Sequence, residues 1–112
     1  MTAKLFLPDD EPDVASCIEM LTAGLTHDDP VSVLTTALLL AELGGEAGSA
    51  VPLLIEALQR SSSYEVRWAA ALALGRIGPP ARSAIPHLMR ALHDAEEDVQ
   101  YEARVAIERV LG

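Results

Sequence analysis

Aromatic side chains are scarce. Phe6, Tyr64, Trp68 and Tyr101 are the whole set in 112 residues. A core must therefore be built from Leu, Val, Ile and Ala, small side chains that let helices approach closely; Leu and Ala also favour the helix intrinsically. Cys17 is the only cysteine, so no disulfide can close within the chain, and a reducing, cytoplasmic compartment is expected. Long apolar runs are missing as well. Leu5-Phe6-Leu7 stops at Pro8, well short of a secretory core, and nothing is expected to approach the ~20 apolar residues of a membrane span. The chemistry-bearing motifs are also lacking: there is no Gly-rich phosphate loop, no Cys-His pair at useful spacing and no His-x-x-x-His. His87 and His93 lie six residues apart, which is about 120° on a helix and so not one face. No catalytic residue, metal site or cofactor is expected.

Charge is plentiful but uneven. The formal net charge is −9. Residues 1–59 carry ten acids against Lys4, residues 60–93 carry five arginines against Glu65, and residues 94–112 carry six acids against Arg104 and Arg109. An acidic total argues against nucleic acid or an anionic membrane as partner. Many of the acids, including Asp9, Asp10, Glu11, Asp13, Asp28, Asp29, Asp94, Glu96 and Glu97, stand where helices should begin, where carboxylates are favoured.

What the chain has in abundance is itself. Shifted by 34, Leu43-Gly44 falls on Ile77-Gly78, Val51-Pro52 on Ile85-Pro86, Leu54 on Leu88 and Ala57-Leu58 on Ala91-Leu92. Shifted by 33, Val66 falls on Val99, Ala70 on Ala103 and Ala73-Leu74 on Ala106-Ile107. A fixed period in the thirties is the mark of stacked helix pairs. Within a unit, Val66, Ala70, Ala73, Leu74 and Ile77 follow one helical face. Gly78-Pro79-Pro80 ends that helix, and Ile85, Leu88 and Leu92 mark the buried side of the next. Pro86 is tolerable in this second helix if Ser83 stands near its N-cap, since the first turn has spare N–H groups. The patterns predict one domain over 1–112, with an arm over 1–12 and helical repeats over 13–112. Helices are expected at 12–26, 31–44, 49–60, 64–77, 83–93 and 96–111, forming three antiparallel pairs.

The run Val66-Arg67-Trp68-Ala69-Ala70-Ala71-Leu72-Ala73-Leu74-Gly75-Arg76-Ile77-Gly78, followed by Ala84-Ile85-Pro86-His87-Leu88-Met89-Arg90-Ala91-Leu92, resembles the HEAT-like repeat of the phycobilisome-lyase type. The resemblance implies an all-α fold, a right-handed α-α superhelix, that binds other proteins along its inner face. Arginines that bridge successive repeats occur in such families, and only Arg67 stands at that place here. Deoxyhypusine hydroxylase is similar in its repeat but uses His-Glu pairs as iron ligands. Here His27 precedes Asp28, His87 precedes Leu88 and His93 precedes Asp94, so those ligands are missing.

The expected function is a non-catalytic scaffold for a protein or peptide partner. Two alternatives stand beside it: an accessory subunit of a phycobilin-type lyase, and an acidic inhibitor or immunity-type protein that binds a basic partner. With Val51, Leu54 and Leu58 buried, helical geometry turns Leu53, Glu56 and Arg60 outward. The same phase exposes His87, Arg90 and Asp94 on the fifth helix and Met20, Ala23 and His27 on the first. Met20, Leu53, Glu56, Arg60, His87 and Arg90 are the candidate binding residues. Trp68, with Leu34 and Tyr101 near equivalent places, is expected at a seam between first helices. The last helix lacks a successor in the pattern, which would leave part of its Val99, Ala103, Ala106, Ile107 and Val110 face open for a homodimer contact.

Overall fold

The computed structural model describes residues 29–112. The arm over 1–12, the helix expected over 12–26 and the candidate residue Met20 lie outside the described residues. In chain order the elements are α1 (Pro30–Leu43), a 3-10 segment (Gly44–Ala50), α2 (Val51–Arg60), α3 (Tyr64–Ile77), a second 3-10 segment (Pro79–Ala84), α4 (Ile85–Ala91) and α5 (Glu97–Leu111). There is no strand among the described residues.

Local chemistry sets where these helices start and stop. Asp29 caps α1 by accepting the Val31 N–H at 3.1 Å. Pro30 follows in the first turn, where a missing N–H costs nothing. Ser63 Oγ takes the Val66 N–H at the start of α3. Glu96, at the same place before α5, makes no side-chain cap; the Asp94 carboxylate instead accepts the Glu96 N–H at 2.9 Å. Gly44 (φ 60°) and Gly78 (φ 80°) end α1 and α3. Both sit in the left-handed half of the map that L side chains avoid.

One detail departs from the expectation for the second helix of a unit. No cap at Ser83 starts α4: its N-cap residue is Ala84, with no side-chain bond. The 3-10 segment runs straight into the helix, and Ile85 N–H donates to the Arg82 carbonyl, so the backbone supplies what a capping hydroxyl would. The kink falls at Ala81 (φ −92°, ψ 20°) and, one unit earlier, at Ala47 (φ −91°, ψ 20°). The repeat is thus written in the dihedral angles as well as in the residues.

Packing runs mainly between units. α1 lies on α3 and α3 on α5, forming one row, while α2 packs on α3 and α4 on α5. The backbones of α1 and α2 scarcely approach each other, nor do those of α3 and α4. Leu40, Leu54, Leu74, Leu88, Val66, Val99 and Val110 are fully buried; Leu40 and Leu74, Leu54 and Leu88, and Val66 and Val99 are repeat equivalents. Trp68 and Leu34 are half-buried against this core, whereas Tyr101 is exposed. α3 and α5 approach closely: a Cβ on Gly75 would lie 2.9 Å from Ala106 Cα. Only a residue without a side chain lets the two helices meet there.

That close approach alters the expectation for the last helix. Val99, Ala103, Ala106 and Val110 are all buried, and Ile107 is half-buried, because α3 and α4 both pack on α5. Most of the apolar face expected to be open is therefore covered within a single chain, with Ile107 left half-exposed. A second correction concerns hydropathy. The run Pro30–Arg60 contains an 18-residue window of mean hydropathy 1.5, long and apolar enough to cross a membrane by composition alone. In the fold it is not one straight helix: Gly44 has positive φ, Ala47 is non-helical, and Val33, Ala37, Leu40, Leu54 and Leu58 are buried in the core.

Candidate functional site

A hollow lies between the ends of α2 and α4, over the start of α3. Its volume is about 410 Å3. Leu58 and Ala91 give it an apolar floor, and Gln59, Ser61, Arg67, His87, Arg90 and Asp94 give it a polar wall. Leu58 and Ala91 are buried by the pattern that makes their helices amphipathic. The polar residues next to them in sequence therefore point toward the neighbouring helix or to solvent.

Arg67 and Asp94 anchor one side. Arg67 Nε donates to Asp94 Oδ2 at 2.8 Å and Nη2 to Oδ1 at 3.1 Å. The third nitrogen, Nη1, donates to the Ser61 carbonyl at 2.9 Å. The two side chains are only 17% and 12% exposed, so the pair is far less screened than a surface ion pair. Burial by itself would raise the Asp94 carboxyl. The Arg67 hydrogen bond, the Glu96 N–H and the Arg67 charge together outweigh it and hold the group below the usual aspartate range. The hydrogen bond to Asp94 likewise raises the Arg67 guanidinium.

On the other side, Gln59 Nε2 and His87 Nδ1 are 2.6 Å apart and link α2 to α4. With Gln59 Nε2 as the donor, His87 Nδ1 is the accepting ring nitrogen. Arg90 Nη1 lies 3.5 Å from the same Nδ1. Among the described residues Arg90 has no ion-pair partner.

The candidates named from sequence are thus only partly brought together. His87 and Arg90 line the hollow. Glu56 and Arg60 are not among its lining residues; they are exposed, 3.9 Å apart, at 57% and 78% exposure. Leu53 is half-buried and packed against the core, so it offers no free apolar track. Asp94 does not continue the outward stripe, because α4 ends at Ala91 and the chain turns before residue 94; a helical projection no longer applies there.

Gln59 and Ser61 are not among the residues the helical pattern points to, yet a signal for Ser61 is present. Shifted by 33, Ser61 falls on Asp94, Ser63 on Glu96 and Arg67 on Gln100. The hydrogen bonds repeat with them. Ser63 N–H donates to Ser61 Oγ as Glu96 N–H donates to Asp94 Oδ1. Arg67 donates to the Ser61 carbonyl as Gln100 Nε2 donates to the Asp94 carbonyl. A second hollow of about 400 Å3 follows one unit on, lined by Leu92, Glu97, Gln100, Tyr101 and Arg104. Its Leu92 and Gln100 stand where Leu58 and Arg67 stand in the first.

Among the described residues no three or more His, Cys, Asp and Glu side chains are grouped to hold a metal ion. Comparison with curated proteins gave no match. Comparison with protein families matches residues 18–108 to HEAT repeats, a span well over half of the chain and one that contains nearly all of the helical structure described above. With the period, the paired caps and the repeated hydrogen bonds on the same register, the chain belongs to the HEAT-repeat family.

Proposed function

We propose that the chain is a non-catalytic scaffold that binds a protein or peptide partner over the hollows formed by α2, α4 and the helix starts beside them. HEAT repeats commonly serve as protein-interaction scaffolds. The observation that carries the reading is the recurrence of the hollow itself: an apolar floor at Leu58 and Leu92, with polar side chains of the following helix at its rim. Such a repeating surface suits an extended segment better than a compact small molecule. The resemblance of Val66–Gly78 and Ala84–Leu92 supports a place in the phycobilisome-lyase branch of the family. The pattern over 12–26 supports a further helix that would complete three pairs. The lone Cys17 supports a cytoplasmic setting.

The test is capture of partner by immobilised protein, wild type against Gln59→Glu/Arg90→Glu. Both positions are exposed rim sites, so the variant should fold. Loss of the captured species with an unchanged melting curve supports the hollow. Full capture by the folded variant moves the binding surface elsewhere.

A further inference from the structure

We infer that the hollow between α2 and α4 takes a carboxylate-bearing segment of its partner, with Arg90 as the anion contact. The inference rests on the scaffold reading and specifies the chemistry of its partner. Arg67 has committed all three of its nitrogens, two to Asp94 and one to the Ser61 carbonyl. Asp94 is committed too: Oδ1 accepts from Arg67 and from the Glu96 N–H, and Oδ2 from Arg67. Asp94, the carboxylate that lines this hollow, is thus already neutralised by Arg67 and offers a cationic partner little net charge. Arg90 is the reverse case. It is exposed, and among the described residues its side-chain hydrogen bond, to His87 Nδ1, shares an acceptor already engaged by Gln59. The charge left to a partner in this hollow is positive.

The net charge of −9 acts against an acidic partner at long range. At physiological salt the screening length is about 8 Å, so charges on the far helices count for little at the rim, and the local cation decides. Local sequence supports this, since residues 60–93 carry five arginines against Glu65.

The experiment titrates the uniformly 15N-labelled full chain with a blocked hexaglutamate peptide and, separately, with blocked hexalysine. Hexaglutamate should shift the amides of Gln59, Ser61, His87 and Arg90 and the Arg90 Nε–H. Arg90→Glu should weaken binding about tenfold or more. Arg82→Glu, which carries the same charge change on an exposed residue outside the hollow, should leave the affinity within about twofold. Equal weakening by both variants would show a net-charge effect and overturn the inference. Shifts in these residues with hexalysine alone would overturn the acidic partner while keeping the hollow as a binding surface. No shift there with either peptide would remove both.

Discussion

Gly75 and Gly78 lie three positions apart and answer to different physics. Gly78 has φ 80° and open space where a Cβ would stand, with nothing within 4 Å; its constraint is the backbone. Gly75 has ordinary helical surroundings, but a Cβ there would press on Ala106. Gly75→Ala gains up to about 1 kcal/mol of helix propensity against an overpacking cost of about 1–3 kcal/mol. The net should be destabilising, and Ala106→Gly should restore part of the loss by making room. Urea melts of the two single variants and the double would settle the point; a stabilised Gly75→Ala would mean that α3 and α5 are less closely packed. At the same scale, Leu54→Ala and Leu88→Ala should each cost about 2–5 kcal/mol, as fully buried leucines do. Glu56→Ala, at the surface, should stay within about 0.5 kcal/mol. The opposite order would refute the helical phase on which the hollow depends.

Helices that pack mainly between units need something to fix the angle at which one unit meets the next. The Arg67–Asp94 pair ties the first turn of α3 to the turn that opens α5, a contact that can serve this purpose. Position 67 falls on Gln100 one unit later and on Val33 one unit earlier, so among the described residues the bidentate link is made once. Arg67→Ala would leave a largely buried carboxylate without its partner and should cost about 1–3 kcal/mol. The pH dependence has a definite sign. The Asp94 carboxyl is held below its ordinary value in the fold. Its stabilisation is therefore present above the unfolded aspartate value and lost as pH falls through the lowered folded value. Denaturant melts of wild type and Asp94→Asn should differ most near neutrality and converge in acid. A gap that persisted unchanged below the folded value would mean that the carboxylate charge contributes nothing to the link.

For the molecule as a whole, the question is whether apolar surface remains to be covered. The α5 face on which a two-fold contact would be built is already occupied by α3 and α4. Tyr101 and Leu111 are the large exposed hydrophobics left on that helix, and the Arg104 guanidinium sits 5.2 Å from the centre of the Tyr101 ring, close enough for a cation–π contact. Single exposed apolar residues of this kind are tolerated on monomers. Light scattering should therefore give the mass of one chain, 11.9 kDa. A two-chain mass abolished by a folded Ile107→Glu variant would restore the α5 contact.

The sequence by itself determined the helical class, the period, the boundaries near Gly44 and Gly78 and the buried leucines. These follow from local rules: which residues can turn, which cannot continue a helix, and which recur on one face. It also pointed to His87 and Arg90, which line the hollow. Tertiary structure alone decided the rest. Leu53 is half-covered because the edge of a helical stripe depends on how close the next helix comes. Asp94 leaves the stripe because the chain turns after Ala91 and an arginine 27 residues away supplies its counter-charge. Gly75 reads in sequence as a weak point in a helix, and only its distance to Ala106 reveals it as the place where two helices touch. Helical periodicity places a side chain around its own axis; the distance to the neighbouring axis comes from every contact between them at once.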